Sequence, residues 1–303
     1  MPKRFSASSA AQLMSCPGSA NLELAIPGWT PPVVDEMAGA KGVGTNVHSV
    51  LEPLVDKPIN YLAEYADLVR MLAILHWTKR RPLLSDPNEL QQWMLKEMPG
   101  FVPDLYTVCH WAQGLHDFPP KMLRFIVDAL DYLISLKYDR IKADEMTMWA
   151  AEQTYECAWL TSRPKTTVDV AGYGKRTLDI LDWKSGKIPV SPVENDQLMF
   201  YAVSALAERS DVTSVQRVVM HIVQPGNIDS WECSIAELMA WKRRAQHTDS
   251  LIQQKDLTLR PSDHCTFCPA NPHSRGDKAK PYCPAMMEML YPSVADEDEI
   301  FAM

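Results

Sequence analysis

Two aspartates, Asp169 and Asp182, and a lysine two places beyond the second, Lys184, stand inside the otherwise apolar runs TTVDVAG and LDILDWKSGK. Carboxylates set side by side repel one another unless a cation sits between them. Mg²⁺ or Mn²⁺ suits such a pair, because a hard divalent ion takes a few carboxylate oxygens, keeps several waters and leaves positions open for phosphate oxygens. In an extended chain alternate residues share a face, so Asp182 and Lys184 are neighbours while Asp179, Leu181 and Trp183 point the other way. A lysine beside the metal can orient an attacking water or stabilise charge developing on a phosphate. The predicted chemistry is phosphodiester hydrolysis.

These residues need strands to hold them. Period-2 patterning and flanking turn residues predict strands near Met148 (TMWAAEQTYECAWL), over TTVDVAG and over the run that carries Asp182, with GYGKR as a hairpin connection that brings the two carboxylates together. ENDQLMFYAVSALAER has helical spacing, VQRVVMHIVQP at 215–225 reads as a buried strand, and SIAELMAWKRRAQHTDSLIQQ as an amphipathic helix. Upstream, serines 6, 8 and 9 can cap a short helix that ends at Cys16 before a Pro-Gly break. Glycines 39, 42 and 44 lead to GTNVHSVLE, where Thr45 caps a helix with His48 and Glu52 one turn apart. Trp- and Leu-rich helical patterning, broken by prolines, fills the span between. The segmentation is 1–58 (first cysteine and His-bearing helix), 59–145 (helical insertion), 146–260 (α/β core), 261–290 (cysteine-rich) and 291–303 (acidic tail).

A chain of 303 residues, 46% hydrophobic, can bury a sizeable core. Its net charge of -8 excludes a globally positive field, so a nucleic-acid partner must be met by a local basic groove or by metal at the carboxylates. No apolar run reaches the length of a signal peptide or a membrane span, so the expectation is a cytosolic protein without membrane contact. Seven cysteines, an odd number, direct attention to metal ligation rather than disulfides. Cys109, Cys157 and Cys233 lie in apolar contexts and read as buried structural thiols. Neither glycine-rich stretch, GAKGVGTN nor GYGKRT, satisfies the G-x4-G-K-[ST] phosphate loop, which removes an ATPase reading.

Taken together, these residues resemble the PD-(D/E)xK nuclease superfamily, and within it the RecB-type and CRISPR-adaptation-type exonucleases. GTNVHSVLE resembles the family's helix with a metal-binding histidine, which puts His48 in that role. Asp169 matches the strand aspartate, Asp182-Trp183-Lys184 the D-x-K, and Gln197 with Tyr201 the following Gln-x3-Tyr helix, all in the family's order. The resemblance implies an α/β, restriction-endonuclease-like core with a mixed sheet flanked by helices. Asp169, Asp182, His48 and the backbone carbonyl of Trp183 would hold Mg²⁺ or Mn²⁺. Lys184 would position the water, and Gln197 and Tyr201 would orient Lys184 or the strand being cut.

Several such exonucleases carry a 4Fe-4S cluster held by one cysteine before the core and three after it. Cys16, Cys265, Cys268 and Cys283 fit that arrangement, with C-x2-C-x14-C near the C-terminal end. Zinc is the alternative at four thiolates, with His264 and His273 as spare ligands. The whole chain resembles phage and prophage proteins found beside recombination genes. That implies a DNA exonuclease acting on single- or double-stranded ends in the cytoplasm of a bacterial host, working with a single-strand annealing or recombination protein and closing into a homo-oligomer.

Plainer readings stand beside each of these. A lone D-x-K is more often a salt bridge at a strand end, and His48 an ordinary helix histidine; only the ordered set favours a site. Asp179 reads as solvated or paired, Glu152 as a surface position ahead of one that reaches the same site from the neighbouring strand, and Glu52 equally as a ligand aid or a solvated charge. The basic clusters at 79–81 and 242–244 read as solvated faces, and the tail as a solubilising segment. The rival function is a DNA-end-binding or recombination-mediator protein that retains the fold without cutting; a third reading is a zinc-stabilised scaffold.

Overall fold

The computed structural model describes residues 5–29, 47–77, 92, 96, 118, 120–143, 145, 148–186, 188–207, 214–271 and 282–290. The glycine-rich stretch with Thr45, the basic cluster at 79–81, Cys109, His273 and the acidic tail lie outside the described residues. Five strands form one sheet in sequence order: β1 (Met148–Glu156), β2 (Lys165–Tyr173), β3 (Thr177–Trp183), β4 (Arg217–Gln224) and β5 (Asn227–Ser234). β1, β2 and β3 form an antiparallel meander, β3 and β4 run parallel, and β5 returns antiparallel to β4. A parallel neighbour cannot be reached by a tight turn, and a helix, Asp196–Ala207, spans the gap between β3 and β4. The result is a mixed α/β fold with a five-stranded sheet.

The helices are α1 (Ala10–Ser15), α2 (Leu22–Ala25), α3 (47–51), α4 (Ile59–Trp77), α5 (Pro120–Lys142), α6 (Asp196–Ala207), α7 (Ile235–Gln253) and α8 (Pro284–Leu290). They cover both faces of the sheet. Leu181, Trp183, Val170 and Val223 point into one apolar core with α3, α4 and α5. Leu178, Ile180, Ala171 and Met220 point into the other, against α1, α6 and α7. Every residue of β3 is therefore buried. The two described helices of the 59–145 span, α4 and α5, belong to the first of these cores.

Two polar devices fix this packing. On the α5 side, Asp179 is wholly buried and accepts from Arg140 Nε and Nη2 at 2.7 and 2.5 Å; His221 Nε2 lies 3.1 Å from its Oδ1, and His221 Nδ1 2.7 Å from the Tyr132 hydroxyl. The guanidinium and the imidazole hold the Asp179 carboxyl below its ordinary range despite its burial. Asp179 is thus paired, one of the two states the sequence allowed. Beyond β3, Gln224 gathers the connection to α6: its amide nitrogen donates to the Gly186 and Ile188 carbonyls, and its oxygen accepts from Val190 N–H. Asn195 Oδ1 then caps α6 by accepting from the Gln197 and Leu198 N–H groups.

β5 has no counterpart among the strands expected from the sequence. NIDSWECS shows mostly exposed positions and one buried cysteine, so an edge strand with a polar outer surface leaves little apolar alternation to read.

Candidate metal-dependent site

The ladder between β2 and β3 pairs Val170 with Leu181 and stops there, which puts Asp169 and Asp182 across from one another just where the strands part. Instead of a backbone ladder bond, Asp169 Oδ2 accepts from the Trp183 N–H at 2.9 Å. β3 continues its parallel pairing for one residue through Lys184 N–H to the Val223 carbonyl, 3.0 Å, and this holds Lys184 beside Asp182. α3 brings His48 over the same point: Nε2 lies 3.1 Å from the Trp183 carbonyl and 3.8 Å from Asp169 Oδ2.

Lys184 Nζ sits 2.8 Å from Asp182 Oδ2. Oδ2 is buried, so this ammonium is the partner that holds it. Gln197, on the first turn of α6, ties the set together: its Oε1 accepts from Lys184 Nζ at 2.9 Å, and its Nε2 donates to Asp182 Oδ1 at 3.2 Å and to the Tyr201 hydroxyl at 2.7 Å. Of the candidate residues, His48, Asp169, Asp182, Trp183, Lys184, Gln197 and Tyr201 are all brought together.

The electrostatics follow from that crowding. Burial, with the Asp182 charge second, pushes the Asp169 carboxyl up to about 7. Asp182 is also raised, chiefly by burial, against the opposing pull of Lys184 and His48. Two buried carboxylates that resist ionising together are chemically suited to a hard divalent cation.

Of the two readings of Glu152, the sequence favours the surface position, and the structure has the other: Glu152 reaches this site from the neighbouring strand. It stands directly across from Asp169, because β1 pairs Ala151 with Val170 and Gln153 with Val168. Its Oε1 lies 3.5 Å from His48 Nδ1, and ligand atoms of His48, Glu152 and Asp169 all fall within 4.8 Å of one another. Its backbone has φ +49°, outside the extended region, so alternation along β1 does not locate its side chain. The signal that could have found it is the hairpin register, which sets a glutamate opposite a predicted metal-binding aspartate. Glu52 is exposed in the turn after α3 and lies outside this group.

Cys16, Cys265, Cys268 and Cys283 are free, buried, and line one small cavity with Leu22 and Met286. Backbone N–H groups of Arg260 and Ser262 point at the sulfurs of Cys16 and Cys265, at 3.2 and 3.4 Å. Burial raises the thiols of Cys268, to about 11, and of Cys283, with the neighbouring thiols adding to it. His264 Nε2 lies 3.6 Å from Cys265 Sγ. Cys157 and Cys233 are buried among apolar side chains of the second core, and Arg243 and Arg244 stand exposed on α7. No helix among the described residues is long and apolar enough to cross a membrane.

A mixed α/β protein with two carboxylates, a histidine and a lysine converging where two strands diverge is the class that fold and site define. The chain belongs to the DUF2800 family, described as a protein of unknown function, whose model matches residues 3–303. Among solved structures it is similar to SSO0001, with a TM-score of 0.31 and 12% identity over 72% of this chain and 95% of that one, a likeness too slight to carry an argument.

Proposed function

We propose that this protein is a metal-dependent DNA exonuclease of the PD-(D/E)xK type that resects DNA ends for phage recombination or repair. One observation carries the reading: His48 Nε2, Asp169 Oδ2 and the Trp183 carbonyl converge on one point, with Asp182 across the strand pair from Asp169 and ion-paired to Lys184 at 2.8 Å. Asp169, Asp182, His48 and the Trp183 carbonyl would hold Mg²⁺ or Mn²⁺. Such an ion polarises a phosphoryl oxygen and makes water a nucleophile near neutral pH. Lys184 is the only lysine held against the carboxylates among the described residues, and its ammonium would orient the water or stabilise charge developing on the phosphate. Gln197 fixes that ammonium from the side of α6, and Tyr201 fixes Gln197. Since Asp182 also holds Lys184, cation and lysine share one anchor.

Four buried thiols that share a cavity suit a 4Fe-4S cluster, with zinc as the alternative donor chemistry. We assign this site a structural part, because Cys16 and the other three cysteines come from distant parts of the chain. DNA ends are the proposed substrate, and the absence of a global positive charge leaves recognition of phosphate to the cation and Lys184.

The test is incubation of anaerobically purified protein with end-labelled linear DNA, single- and double-stranded, plus Mn²⁺ or Mg²⁺. Metal-dependent loss of label that Asp182→Asn and Lys184→Ala abolish is the expected result. Folded protein that binds the DNA and leaves every substrate uncut would replace this reading with the end-binding one.

A further inference from the structure

We infer that Glu152 is a positioning residue that holds His48 in the tautomer able to bind metal; this rests on the proposed divalent-cation site. The two ring nitrogens of His48 face different partners. Nε2 lies 3.1 Å from the Trp183 carbonyl, which can only accept, so in the metal-free protein Nε2 donates there, beside Asp169 and the other candidate ligands, whereas Nδ1 faces Glu152 Oε1 at 3.5 Å. A cation at Nε2 would take the place of that proton, which leaves the neutral ring's one proton on Nδ1, and a carboxylate is the acceptor that best keeps it there.

The backbone marks the same residue independently. In a β1–β2 ladder that is otherwise continuous on both sides, Glu152 alone leaves its pairing with the opposite strand, at φ +49°. L-residues other than glycine rarely adopt this conformation, and glutamate has no local side-chain bond to favour it. The turn of the backbone aims the carboxylate at the imidazole of α3. Glu152 thereby acts through His48: it accepts from Nδ1–H once a cation has replaced the proton on Nε2.

The measurement is Mn²⁺ titration by calorimetry of wild-type protein, Glu152→Ala and Glu152→Gln, each first shown folded by circular dichroism. Glutamine keeps an acceptor for Nδ1–H but is a poor ligand for a hard cation. Positioning predicts a loss of roughly 10- to 100-fold in Mn²⁺ affinity for the alanine variant and recovery of most of it by glutamine. Nitrogen-15 spectra of His48 with Mg²⁺ bound should show the proton on Nδ1 in wild type and a mixed population in Glu152→Ala. Equal affinity in wild type and Glu152→Ala overturns the inference, as does a glutamine variant as weak as the alanine one, which would make Glu152 a direct ligand. Failure of the wild-type protein itself to bind Mn²⁺ would instead remove the cation site on which this rests.

Discussion

At Asp169 the metal-free protein carries a carboxyl raised to about 7 by burial and by Asp182. The unfolded chain releases that proton near an ordinary aspartate value of about 4. Between these two values the folded state holds more protons than the unfolded one, so metal-free stability falls as pH rises and the loss is complete above the folded value. A cation that binds the ionised pair reverses this. Thermal melts without metal should therefore move downward from about pH 5 to about pH 8, and Mn²⁺ should raise the midpoint more at the higher pH. Asp169→Asn should flatten the metal-free pH dependence, and an unaltered slope in that variant would assign it to another group. At Glu152 the φ of +49° stores strain. Glu152→Gly should stabilise the metal-free fold by about 1–2 kcal/mol in urea unfolding while weakening Mn²⁺ binding, the pattern of a residue kept for function.

The elements that present these residues are held by polar contacts as much as by apolar ones. α5 is tied to the sheet by the partly buried Arg140 on the fully buried Asp179, with His221 and Tyr132 extending the chain. Asp179→Ala leaves a partly buried guanidinium without its counter-charge and should cost about 3 kcal/mol in chemical denaturation, the low end for a buried pair. A loss under about 1 kcal/mol would mean that Arg140 finds solvent instead. The sheet's central strands were legible in the sequence because Leu178, Ile180 and Asp182 keep strict period 2 and turn residues separate β2 from β3. β5 escaped because it is an edge strand with little apolar alternation, and Glu152 at the site was only the second reading because it departs from strand geometry, so its side chain does not follow the pattern of its neighbours. The candidate site itself was legible as an ordered series, His48 to Tyr201, whereas the buried pairing of Asp179 depends on Arg140, 39 residues away, and on His221, which no local pattern connects.

Across the whole molecule, the two ends of the described chain meet at the cysteines. Gly18 N–H donates to the Thr258 carbonyl, Arg260 N–H points at Cys16 Sγ, and Asn21 reaches the Ile252 carbonyl. The approach at Gly18 is so close that a Cβ there would lie 2.5 Å from the Thr258 oxygen, so only glycine fits. Gly18→Ala should push Cys16 away from Cys265, Cys268 and Cys283, lowering both the iron or zinc retained per chain and the melting midpoint. Full retention of metal in that variant would show that the three C-terminal cysteines hold it without Cys16. Raised thiols at Cys268 and Cys283 imply that metal loading releases protons, so acid should favour its loss.

The central claim is that Lys184 turns a bound cation into a cutting site, and it is tested most directly by the initial rate of label release from linear DNA at saturating Mn²⁺. Wild type and Lys184→Ala should differ by about 10²–10³ in that rate while their Mn²⁺ titrations remain alike, because the lysine stabilises developing charge rather than holding the ion. Equal rates in the two proteins, or no release from either, would contradict it.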